Sequence, residues 1–118
     1  MKESIVQKKS FDFSLKIIHL YKKLQEEKEF IISRQILRSG TSIGANVEEA
    51  LAGQSKKDFI SKMSISSKEA RETKYWLRLL KESELTNLNV DNLINDIHEL
   101  IRILTSIVKT SQESLTKN

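Results

Sequence analysis

The chain has 118 residues, a formal net charge of +4, three glycines, and neither proline nor cysteine. Its length suits one domain, 1–118; the missing proline argues against a turn-dense β-sandwich or barrel, and the missing cysteine excludes disulfides, thiolate metal sites and a cysteine nucleophile. No apolar run approaches the roughly 20 residues that cross a bilayer, and the leading MKESIVQKKSFDF lacks a signal-peptide stretch, so a cytoplasmic helical protein with no membrane role is expected.

The first helix is predicted over about residues 10–26, with Phe11, Leu15, Ile18, Tyr21 and Leu24 on its core face and Ile17 and Leu20 widening it. The second is predicted over about residues 29–52 on the stripe Ile32, Ile36, Ile43, Val47 and Leu51. Ser39-Gly-Thr-Ser42 interrupts that stripe with poor helix formers, so a kink or break near Gly40 is expected. Gly40 and Gly44 stand four apart, on one face, where a second backbone can approach closely.

The third helix, about 55–83, has the seam Phe59, Met63, Ser66, Ala70, Thr73, Leu77 and Leu80, whose middle is small and partly polar. Beside the seam runs an apolar flank of Ile65, Trp76 and Leu79, and beyond it a basic sector of Lys57, Lys68, Arg71, Tyr75 and Arg78. The fourth helix, about 88–112, carries Leu93, Ile97, Leu100, Leu104 and Ile107 and is predicted to fray over 114–118. Four amphipathic helices with short connections predict an all-α, antiparallel up-down-up-down bundle.

Charge is unevenly spread. Residues 54–81 hold eight basic side chains against three acidic ones, whereas residues 82–118 hold three basic against six acidic. Such polarity attracts polyanions to one side, although a solvated helix face has the same composition.

Little in the chain suggests catalysis. Neither His19 nor His98 belongs to a Glu-x-x-His pair of the kind that holds a di-metal site; the residues three places earlier are Lys16 and Asn95. Ser106-Ile-Val-Lys109 matches Ser-x-x-Lys without its companion motifs. Gly53-Gln-Ser-Lys56 lacks the upstream glycine of a phosphate loop. Glu48, Glu49, Glu69 and Glu72 suit pairing with Arg34, Arg38 or Arg71 better than acid–base work. No enzyme, metal or cofactor is expected.

The basic sector, with Lys74 beside it, is the best functional feature. Lys57, Lys68, Arg71, Lys74 and Arg78 suit nucleic-acid phosphates, and Tyr75 an exposed base. Ile65, Trp76 and Leu79 offer a partner subunit an apolar anchor, or else cap the edge of the bundle's own core.

The stretch Arg34-Gln-Ile-Leu-Arg38-Ser-Gly-Thr-Ser42-Ile-Gly-Ala-Asn46-Val-Glu-Glu-Ala50 resembles the central signature of the four-helix bundle proteins encoded in 23S rRNA intervening sequences. Lys57-Asp-Phe-Ile60 and Glu69-Ala-Arg-Glu-Thr-Lys-Tyr-Trp-Leu77 resemble that family's third helix. Many members have proline where this chain has Gly44. The fold group also includes the accessory variability protein of diversity-generating retroelements, a basic homopentamer that works with a reverse transcriptase and RNA. The resemblance implies a homopentameric bundle with a nucleic-acid role and no established catalytic residues. It also implies that Ser42, Asn46 and Glu49 make structural polar contacts between helices 2 and 3.

The expectation is therefore a non-enzymatic homo-oligomeric ring protein whose basic face contacts RNA or DNA. The alternative is a protein-binding assembly factor without nucleic acid, in which acids of the fourth helix such as Asp96 or Glu99 pair with the basic face of the next subunit.

Overall fold

The computed structural model describes residues 3–116, and these form four α-helices: α1 (Ile5–Glu26), α2 (Ile32–Leu51), α3 (Lys56–Glu82) and α4 (Asp91–Thr116). They run up, down, up and down as an antiparallel bundle with principal extents of 52 × 27 × 21 Å. One buried cluster runs through it, centred on Ile17, Ile36, Ile43, Met63, Leu77, Ile97 and Leu104. Helix α1 packs on α2, α2 on α3 and α3 on α4, while the closing α1–α4 seam is the thinnest.

Helix α1 begins five residues before the expected Ser10. A reciprocal cap explains the early start: Ser4 Oγ accepts from the Gln7 amide at 3.1 Å, and the Gln7 side chain accepts from the Ser4 amide. Its core face also differs from expectation. Val6, Ser10, Phe13, Ile17, Leu20 and Leu24 are buried, whereas Phe11 (57% exposed), Leu15 (53%) and Ile18 look outward. Apolar residues at helical spacing lie on both sides of α1, so periodicity alone does not choose the inner one.

Helix α2 starts at Ile32 rather than 29 and is unbroken through Gly40. The hydroxyls of Ser39, Thr41 and Ser42 donate to the carbonyls of Gln35, Leu37 and Arg38, one turn back, so the poor helix formers keep their polar groups satisfied inside the helix. Gly40 serves packing. A Cβ there would stand 2.9 Å from Ile17 Cγ1, and one at Gly44 would stand 3.3 Å from the Ser10 carbonyl oxygen. The two glycines thus let α1 and α2 approach closely, as their spacing predicts. Ala50 is buried at the end of the stripe, and Leu51 faces out.

Helix α3 follows its predicted seam. Met63, Ser66, Ala70, Thr73, Leu77 and Leu80 are all buried, with Phe59 half-buried. The polar members of the seam join α3 to α2: Ser66 Oγ donates to the Ile43 carbonyl at 2.8 Å, and Thr73 Oγ1 lies 2.9 Å from Ser39 Oγ. The expected bridging by Ser42 and Asn46 is not found, because both bond to carbonyls of α2 itself. Glu49 does reach α3, 3.5 Å from Lys62 Nζ.

Helix α4 runs from Asp91 to Thr116, starting later and ending later than predicted. Residues 114–116, expected to fray, are helical, and 117–118 lie outside the described residues. Asn89 Oδ1 accepts from the Asp91 amide at 2.8 Å and so caps its start.

Candidate nucleic-acid interface

The C-terminal half of α3 places three cations, Arg71, Lys74 and Arg78, on the flank that faces α4. Arg71, Lys74, Tyr75 and Arg78 line a groove of about 560 Å³, closed on the other side by His98, Ile101 and Arg102 of α4. Four of the predicted residues thus meet in one concavity. Lys57 and Lys68 are exposed on α3 but do not line it.

The acids that would neutralise this flank are engaged elsewhere. Glu69 and Glu72 are both held by Arg38 of α2, and Glu72 also accepts from Trp76 Nε1 at 2.9 Å. On α4, Asp96 pairs with Lys16 at 2.9 Å and Glu99 with Lys9 at 3.0 Å, so both turn toward α1. The hydrogen bond and charge of Asp96 hold the Lys16 ammonium above its ordinary pKa. Arg78 alone among the groove cations has an acid within ion-pair distance among the described residues, its neighbour Glu82 at 3.2 Å. Arg71 instead donates to Thr105 Oγ1 of α4 at 3.3 Å.

The α4 half of the groove is masked in the sequence. Residues 82–118 are net acidic taken together. Yet His98, Arg102, Thr105 and Lys109 recur at steps of four, three and four, which puts them on one helical stripe apart from Asp96 and Glu99. Splitting the helix by face rather than summing its charge exposes that stripe.

The apolar flank of α3 is divided. Trp76 is half-buried against the core and bonded to Glu72, while Ile65 and Leu79 are 38% and 37% exposed. Tyr75 is 58% exposed and stands edge-on to Trp76, with ring centroids 5.1 Å apart and planes at 73°. Among the described residues, no three His, Asp or Glu side chains gather into a metal-binding group, and no helix is long and apolar enough to cross a membrane.

The family model described as 23S rRNA-intervening sequence protein matches residues 2–106. A crystal structure of a protein of unknown function from the S23 ribosomal protein family of Bacteroides thetaiotaomicron is similar over 89% of this chain and 99% of its own, with 50% identity and a TM-score of 0.85. A comparison with curated proteins finds no match.

Proposed function

Because the chain belongs to the 23S rRNA-intervening sequence protein family, we propose that it is a non-enzymatic nucleic-acid-binding protein of the cytoplasm whose α3 face contacts RNA or DNA phosphates. The carrying observation is the segregation of charge within the bundle. The acids of mid-α3 are tied to Arg38 and those of mid-α4 to α1, so Lys68, Arg71 and Lys74 have no acid within ion-pair distance among the described residues. Cations left uncompensated on one side release counterions when they meet a polyphosphate, which makes binding both favourable and salt-dependent.

The test is fluorescence anisotropy with a structured RNA across a salt series. Replacing Lys68, Arg71, Lys74 and Arg78 together by Gln should weaken binding and flatten the log–log salt slope, by roughly 0.7 to 0.9 for each phosphate no longer neutralised. An unchanged slope removes the face from the proposal.

A second reading, protein assembly without nucleic acid, draws on the exposed apolar strips: Phe11, Leu15 and Ile18 on α1, and Ile65 and Leu79 on α3 with Trp76 behind them. The acids expected to pair across subunits, Asp96 and Glu99, are already bound within the chain. That weakens the basic face as a subunit contact but leaves self-association through the strips open. We include a homo-oligomer, a pentamer by resemblance, in the proposal.

A further inference from the structure

We propose that the α3–α4 groove seats an unpaired nucleotide of a single-stranded nucleic acid, with cations on its phosphate and Tyr75 against its base. This inference rests on the nucleic-acid reading above and adds the form of the strand and the residues of α4.

Three features of the groove carry it. The first is donor excess. Arg71, Lys74 and Arg102 can donate hydrogen bonds but never accept them, so a molecule seated among them must be rich in acceptors, as a phosphodiester is. Its volume of about 560 Å³ falls within the roughly 300–1,000 Å³ of ligand sites.

The second is His98. Its Nε2 is closed off from solvent and has no hydrogen-bond partner among the described residues, although His98 itself lines the groove. A buried polar atom left unpaired costs free energy, so a base edge gains by pairing with it once the imidazole turns that nitrogen out into the groove. Imidazole nitrogen donates or accepts according to tautomer, which suits the polar edge of a base.

The third is the pose of Tyr75. Tyr75 is more than half exposed and its ring is buttressed in a T-shaped pair with Trp76, whose own indole is tied to Glu72. A supported aromatic ring with a free face is a stacking platform for a base that has left its helix. A duplex keeps its base faces inside the stack and cannot use that platform.

The groove also continues beyond the seat. A smaller depression lined by Ser64, Ser67, Thr105 and Lys109 shares Arg71 with it, and another around Leu79 and Glu82 shares Tyr75 and Arg78. Residues 64 to 82 of α3 span about 27 Å at 1.5 Å per residue, a path that several successive phosphates can follow.

Anisotropy with a labelled single-stranded oligonucleotide, its duplex form, and a free nucleoside monophosphate as competitor tests the proposal. The single strand should bind tighter than the duplex. Tyr75→Ala should weaken single-strand binding about tenfold or more and leave duplex binding unchanged, while Tyr75→Phe keeps wild-type affinity. Arg102→Gln should lower the single-strand salt slope by roughly 0.7, and Lys22→Gln, on exposed α1, should not. Equal affinity for strand and duplex with Tyr75→Ala silent overturns the nucleotide seat while the phosphate-binding face stands. Binding of neither at low salt overturns both. A monophosphate that binds as tightly as the strand reassigns the groove to free nucleotides and overturns the strand.

Discussion

Glu29 shows how one side chain sets a helix boundary. Its carboxylate accepts from the amides of Ile31, Ile32 and Ser33 at 3.2, 2.9 and 2.7 Å, the donors that a helix start leaves without partners. Partial burial pushes its pKa up, but these amides and the Ser33 hydroxyl outweigh burial and hold it below the ordinary 4.5. A carboxyl whose folded pKa is depressed contributes its full stabilisation above the unfolded value and loses it as pH falls through the lower folded one. Glu29→Gln should therefore cost about 1 kcal/mol near neutrality, and the gap should narrow as pH drops below 4.5. Thermal melts of both proteins along a pH series check this; a gap that stays constant into acid refutes the charged cap.

At the scale of the elements, α1 and α3 both end with a non-glycine residue in the left-handed region, Lys28 at φ 63° and Glu84 at φ 59°. Glycine reaches that region without the Cβ clash, which for other residues costs roughly 1–2 kcal/mol, although its freer unfolded chain takes back part of the gain. Lys28→Gly should therefore raise stability by about 0.5–1 kcal/mol, read as a shifted urea midpoint with an unchanged slope. A lower midpoint would mean that the Lys28 side chain supplies more than its backbone loses. Legibility varied between the elements for physical reasons. The α3 seam could be read because its buried positions alternate by four and three without a rival on the opposite face. The α1 face could not, because Phe11, Leu15 and Ile18 compete with Phe13, Ile17 and Leu20 and only the neighbouring helices decide between them. Local propensity points to a kink or break in α2 near Gly40; hydroxyl back-bonding and the fit of Ile17 over Gly40 keep the helix unbroken. For the groove, the α3 half was visible as a run of cations. The α4 half was hidden, because whether an acid cancels a nearby cation depends on which helix it turns toward.

For the whole molecule, the two exposed apolar strips lie on α1 and α3, helices that both pack on α2 but stand across the bundle from each other. Two unlike patches are what a head-to-tail ring requires, because each subunit then offers one patch and receives the other. Phe11→Glu with Leu15→Glu should lower the mass measured by light scattering, and so should Ile65→Glu with Leu79→Glu. Mixing the two variants should produce heterodimers, since each retains one intact strip. Native mass in either variant, or no heterodimer on mixing, refutes the head-to-tail arrangement. The thin α1–α4 seam has its own consequence, for motion. It is held partly by the exposed pairs Lys9–Glu99 and Lys16–Asp96, which contribute little and weaken as salt rises. Helices α2 and α3 should therefore act as a spine, with α1 and α4 as covers that part first along their shared seam. The basic groove lies behind that opening, on the seam that stays shut. The bundle can therefore breathe on one side and still keep its cations, His98 and Tyr75 in register on the other.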